Sequence, residues 1–223
     1  MQVAAATITG SFPTSKPGSY SDPKSRQIDA DTEYHPQHCT SIRNAMKDHS
    51  LPAKPMDNEP FMERPLLGKW DLYYHLPQNK SWDLASYKLI LGDITTVEKL
   101  VAMVEGLSAN VMKYCMLFVM RKGITPMWED PKNRNGGFFS YKVANKFVPE
   151  VWKTLFYALC GETLSTNPKY SPLITGITVS PKKSFCIIKI WLTDMSMQDG
   201  GVIIDIPNLT KNGVVFKPHK PEF

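Results

Sequence analysis

The chain has little of what membrane, secreted and metal-dependent proteins rely on. No apolar run approaches the ~20 residues of a membrane-spanning helix, and nothing near Met1 joins a basic start to a long apolar stretch. Neither a span nor a signal peptide is predicted. Only four cysteines, Cys39, Cys115, Cys160 and Cys186, occur in 223 residues, and none belongs to a Cys-x-x-Cys pair. That excludes a disulfide framework, and the three cysteines inside apolar segments read as reduced core thiols. The sequence holds no phosphate-loop glycine motif, no cluster of metal-binding carboxylates and no Ser-His-Asp or Cys-His set. The expectation is therefore a non-enzyme without metal or cofactor. His35-Pro36-Gln37-His38-Cys39 comes nearest to a metal motif but lacks a fourth ligand nearby.

Charge is only weakly informative. A net charge of +5 and a pI near 8.9 suit a nucleotide or RNA ligand and equally suit plain solubility. With 42% apolar residues the chain has enough for one full hydrophobic core. Residues 1–60 scatter Pro13, Pro17, Pro23, Pro36, Pro52, Pro55 and Pro60 among polar residues without helical or strand period. They are expected to form a disordered tail, leaving 61–223 as a single domain. A cytoplasmic location, with nuclear passage left open, is the expectation.

From Leu66 the texture changes. Trp70, Leu72 and Tyr74 alternate with Lys69, Asp71 and Tyr73, the two-residue period of a half-buried strand. Further strands are predicted at Tyr87–Leu91, Cys115–Met120, Phe138–Val143, Ile174–Val179, Phe185–Leu192, Val202–Ile206 and Val214–Phe216. Thr95-Thr96-Val97-Glu98 reads as a capping box opening a helix with Val97, Leu100, Val101 and Val104 on one face. Pro149 opens a second helix through Trp152, Leu155, Phe156 and Leu159, closed by Gly161. Ser180-Pro181-Lys182-Lys183-Ser184 turns one strand into the next, and alternation puts Ile187, Lys189 and Trp191 on one face. About eight strands, two main helices and no βαβ repeat predict an α+β fold, a curved antiparallel sheet with helices packed on its convex face.

Chemistry concentrates in Ile124-Thr125-Pro126-Met127-Trp128-Glu129-Asp130-Pro131 and in Lys80-Ser81-Trp82. Each Trp follows a turn or polar run, where an indole is available for stacking. Stacking contributes about 1–3 kcal/mol per base, and a cation over a desolvated Trp adds about 2 kcal/mol. Glu129, ionised, only accepts hydrogen bonds, so its two oxygens match the N1–H and N2–H2 donors of guanine and meet an acceptor on adenine. Two indoles and a carboxylate make a minimal kit for a positively charged guanine.

Pro126-Met127-Trp128-Glu129-Asp130 resembles the signature of the cap-binding translation initiation factor 4E family. The likeness runs from about Arg64 to about Phe216 through Pro65-Leu66, Lys69-Trp70, Ser81-Trp82, Thr96-Val97-Glu98, Asn135-Gly136-Gly137, Trp152, Leu159-Cys160-Gly161-Glu162, Ile190-Trp191 and Thr210-Lys211-Asn212. The resemblance implies that Trp82 and Trp128 sandwich the 7-methylguanine of an mRNA cap and that Glu129 reads its edge. It also implies that Trp191 touches the N7-methyl region and that Lys182, with Lys211 more weakly, meets the phosphates; Lys183 beside it at the turn and Lys189 on the Trp191 face are the further candidates. The role implied is translation initiation or its regulation; the alternative is a relative without cap affinity that acts as an interaction module or repressor.

The pattern is not followed throughout. Ile187 and Phe138 stand where the family places basic residues, Lys189 is expected to compensate in part, and only Thr193–Gly201 connects Trp191 to the next predicted strand. The resemblance further implies a partner with a Tyr-x4-Leu-apolar helical motif, the scaffold subunit of the cap-binding complex or an inhibitor, docked at Pro65, Val97, Val101 and Trp152. Val101 replaces a partner-contacting Trp and Lys153 a Leu, so a changed partner set is expected. A monomer without membrane association completes the expectation.

Overall fold

A computed structural model describes residues 63–219. The expected tail and the His35–Cys39 segment lie outside the described residues.

Seven strands form one curved, unclosed antiparallel sheet in the order β2-β1-β3-β5-β6-β4-β7. They are β1 (Pro65–His75), β2 (Lys88–Thr96), β3 (Met116–Arg121), β4 (Gly137–Ala144), β5 (Ile174–Pro181), β6 (Phe185–Leu192) and β7 (Val215–Pro218). Alternation sorts each strand into two faces. Trp70, Leu72, Leu117, Val119, Phe139, Ile177, Ile188 and Ile190 join the main core, covered by α1 (Val97–Gly106), α2 (Ala109–Tyr114) and α3 (Val148–Cys160). The opposite face carries Phe118, Met120 and Trp191 with Ile124, flanked by Tyr73, Tyr87 and Met116. One face builds the main core, and the other carries this second, smaller cluster.

The anticipated strand at Val202–Ile206 does not form. Gly200–Val202 is a short 3-10 turn, and only Ile203 makes an isolated bridge, to Ser165. Ile203 and Ile206 are buried all the same, so the apolar run reflects burial of a loop rather than strand pairing. The capping box also resolves differently. Thr96 is the N-cap, its hydroxyl accepting from the Lys99 N–H at 3.4 Å, while the Glu98 carboxylate accepts from the backbone and guanidinium of Arg64 at 3.0 and 2.9 Å. Glu98 thus ties the start of β1 to α1 instead of closing the helix on itself. Helix α2, capped by Ser108, is additional to the two expected.

Helix α3 begins at Val148, one residue before Pro149, and ends at Gly161. The residue that takes the left-handed conformation is Glu162, at φ 57°. That turn aims its carboxylate at Arg121, which donates two hydrogen bonds of 2.6 Å to it and two more to the carbonyls of Ile174 and Ser171. The guanidinium also lies 4.5 Å over the Trp70 ring. Arg121 therefore locks the end of β3 to the turn after α3 and to the start of β5.

Candidate functional site

The loop after β3 is held from within by two polar residues. Asp130 accepts from the Thr125 N–H and hydroxyl and from the Lys132 N–H, each at 2.8 Å. Burial alone would raise the Asp130 pKa, but these bonds favour the charged form more strongly and hold it below the usual carboxylate range. Asn133, fully buried, donates to the carbonyls of Met127 and Thr125 at 2.8 and 3.2 Å. Between these pins the chain turns and presents Trp128, 39% exposed, and Glu129, also exposed. An indole of that size at the surface loses the hydrophobic gain of burial, which is the usual fate of Trp.

Trp82 arrives from the other side on the segment between β1 and β2. Asp83 caps the 3-10 turn Leu84–Ser86, accepting from the Ser86 N–H at 2.9 Å. His75, the buried last residue of β1, donates from Nε2 to the Ser81 carbonyl at 2.9 Å, since a carbonyl can only accept. Its ring lies flat against Trp82, centroids 4.3 Å apart and planes within 1°. One face of the indole is thereby covered, and the side chain remains 54% exposed.

Tyr87 links the two Trp segments. Its ring sits 6.4 Å from Trp82, 5.3 Å from His75 and 5.3 Å from Phe118 on the sheet. Burial, and after it the negative charge of Glu129, push its hydroxyl pKa up to about 12. Tyr87 thus neighbours Trp82 and feels the charge of Glu129.

Trp191 is placed differently from Trp82 and Trp128. It faces this side of the sheet, as alternation in β6 predicts, but is only 6% exposed. Its Nε1–H donates to the Thr178 hydroxyl at 2.8 Å, and the His219 ring lies over it with centroids 4.7 Å apart. Trp191 is thus nearly covered, with little surface of its own to offer the expected methyl group. His219 also stands 5.3 Å from Phe138. Burial and the nearby Lys189 charge lower its pKa to about 4, while a bond to the Gly137 backbone acts in the opposite sense.

The expected phosphate-binding lysines separate into groups. Lys182 and Lys183 are exposed at the β5–β6 turn, closed by the Lys182 N–H donating to the Phe185 carbonyl at 2.8 Å. Lys189 is half-buried with its ammonium 4.1 Å over the Phe138 ring. Desolvation, then the charges of Lys182 and Lys217, lower its pKa. Lys211 does not join them; it pairs with Asp205 at 2.8 Å.

Of the expected partner surface, Pro65 and Val101 are exposed and Val97 is half-buried. Trp152 requires correction. It is 0% exposed and packs edge-on against Phe156 at 6.2 Å, so it supports α3 from inside and offers nothing to a partner. Lys153 is engaged by Glu105, which also accepts from the Tyr157 hydroxyl at 3.0 Å and so joins α1 to α3.

Sequence reading missed His75, Tyr87, Lys217 and His219. For the first two a signal exists, since both are aromatic rings within seven residues of Trp82. Lys217 and His219 become neighbours of Trp191 only through the β4–β7 pairing, which no local pattern encodes. Among the described residues no group of three or more His, Cys, Asp or Glu is placed to hold a metal ion.

Residues 65–220 match the family model described as eukaryotic initiation factor 4E. A eukaryotic translation initiation factor 4E homolog of Acanthamoeba polyphaga mimivirus is 47% identical over 62 residues, 28% of this chain and 23% of that protein. Eukaryotic translation initiation factor 4E-2 of Schizosaccharomyces pombe is 29% identical over 143 residues, 60% of this chain and 56% of that protein. The matched region thus spans less than two thirds of either relative. Among solved structures, a complex of C. elegans eIF4E-3 with the 4E-binding protein Mextli and cap analog superposes with a TM-score of 0.53 at 25% identity, covering 60% of this chain and 76% of that one.

Proposed function

The chain belongs to the eukaryotic initiation factor 4E family, and from that premise we propose that it binds the 7-methylguanosine cap of mRNA in translation, without catalysis. What supports this reading is that Trp82 and Trp128 are both exposed indoles and that Tyr87, 6.4 Å from the Trp82 ring, feels the charge of Glu129. The methylated base carries a delocalised positive charge, so its entry between Trp82 and Trp128 is favoured by stacking and by attraction to the ring faces. Glu129 then accepts from the N1–H and N2–H2 of the guanine. The Trp191 wall closes the far side, and Lys182, Lys183 and Lys189 neutralise the phosphates. Lys211, already paired, contributes less.

Helical peptide partners dock on the exposed Pro65 and Val101 and the half-buried Val97 of β1 and α1 in this reading. The Lys153–Glu105–Tyr157 cluster alters what such a peptide meets beside them. The protein works as a cytoplasmic monomer.

Titration of intrinsic Trp fluorescence tests the proposal. Saturable quenching by 7-methyl-GTP, with GTP at least tenfold weaker and Trp128→Ala abolishing the response, is expected. Absence of quenching by either nucleotide would replace it with the second role, an interaction module without cap affinity.

A further inference from the structure

We infer that Lys217 is a second, unanticipated anchor for the polyphosphate, and that with Lys189 it brackets Phe138 and draws the phosphate chain toward the β4–β7 edge of the sheet. The inference rests on the cap-binding reading and specifies where the phosphates lie.

The register places these residues. Phe138 on β4 is flanked directly by Trp191 on β6 and by Lys217 on β7. Lys189 lies two pairs further along β6, opposite Ser140, and two residues from Trp191, hence on the same face. Its ammonium reaches back over the Phe138 ring at 4.1 Å, while Lys217 stands exposed on the other side of that ring. Phe138 thus forms an apolar floor between two cations, beside the Trp191 wall.

Lys182 completes the cluster from the β5–β6 turn. The charges that act on Lys189 come from Lys182 and Lys217, both of its own sign. Three lysines elsewhere are ion-paired: Lys122 with Asp93, Lys153 with Glu105 and Lys211 with Asp205. None of the ion pairs among the described residues involves Lys182, Lys189 or Lys217. Gathering three like charges, one of them desolvated, opposes folding. A polyanion reverses that sign, because each phosphate oxygen supplies the acceptor the ammonium groups lack.

The experiment measures fluorescence quenching by 7-methyl-GTP and by 7-methylguanosine for the full chain and for Lys217→Met, Lys189→Met and Lys217→Arg. Met keeps the apolar stem and removes the charge. Expected is a loss of about five- to tenfold for 7-methyl-GTP in each Met variant, an unchanged response to 7-methylguanosine, and retained affinity in Lys217→Arg. Lys189→Met should also melt about 2–4 °C higher than the parent, as relief of like-charge crowding requires. A lysine that merely supported the fold would lower the melting temperature instead. Unchanged 7-methyl-GTP affinity in Lys217→Met, with the parent binding normally, would overturn the inference and leave the cap reading intact. No binding of either compound by the parent would remove the cap reading first.

Discussion

His75 is the residue whose role is most sharply defined by geometry. A buried imidazole could have packed in many ways, yet here it lies coplanar behind Trp82 and donates to the carbonyl of the preceding residue, Ser81. Both contacts fix the indole's orientation before any ligand arrives, which lowers the ordering cost of binding. His75→Ala is expected to weaken 7-methyl-GTP binding about three- to tenfold while His75→Phe, which restores a flat ring, recovers most of it. Equal losses in both variants would show that the hydrogen bond to Ser81 matters and the stack does not. The same scale explains what was legible beforehand. Trp82, Trp128 and Glu129 stood out because an indole beside polar turn residues is out of place in a core. Trp152 did not announce its burial, because a Trp on an amphipathic helix reads the same whether it caps the core or lies at its rim. Trp191 kept its predicted face, but its cover came from His219, twenty-eight residues further along the chain by subtraction of the two numbers.

At the level of elements, strands with clean alternation were legible and the last quarter was less so. β1 and β6 bury one face in the main core and turn the other toward the site, so their period of two appears in the sequence. Val202–Ile206 carries a similar apolar signature for a different reason: it is a loop that buries Ile203 and Ile206 in the main core. Helix α2 is six residues long, too short for a periodic signal. β7 is the element whose stability should respond to pH. His219 follows it, donates its N–H to the Gly136 carbonyl at 2.9 Å, and is kept neutral by burial and by Lys189, with Lys217 and Lys182 adding positive charge to the same face. Its folded pKa of about 4 lies below the 6.5 of the unfolded chain, so between those values the unfolded state binds more protons. The stabilising contribution is complete above pH 6.5, is lost as pH falls toward 4, and amounts to on the order of 2–3 kcal/mol. Hydrogen exchange of the Val215–Lys217 amides should accelerate relative to β3 across that window, and His219→Phe should flatten the difference. An unaltered profile in His219→Phe would assign the acid response to other groups.

For the molecule as a whole, the proposed reading assigns stability to one face of the sheet and binding to the other. Trp70, Trp152 and the rest of the main core lie between sheet and helices, whereas Phe118, Met120 and Trp191 belong to the other face, where the proposed reading puts the cap. Substitutions should therefore fall into two classes with opposite signatures. Arg121 tests the helix side. Its guanidinium joins the end of β3, the turn after α3 and the start of β5 through four hydrogen bonds, with side-chain exposures of 22% for Arg121 and 16% for Glu162. Arg121→Met leaves the Glu162 carboxylate and two carbonyls without these donors, a loss of roughly 2–4 kcal/mol. For a domain of this size that corresponds to a melting temperature lower by about 5–15 °C. At 15 °C, where the variant remains folded, its affinity for 7-methyl-GTP should stay within about twofold of the parent, because the Trp128 loop keeps its own pins at Asp130 and Asn133. Lys189→Met is expected to do the reverse, melting higher and binding more weakly. If Arg121→Met lost affinity in proportion to stability, the loop would depend on the helix side for its shape, and the division between faces would not hold.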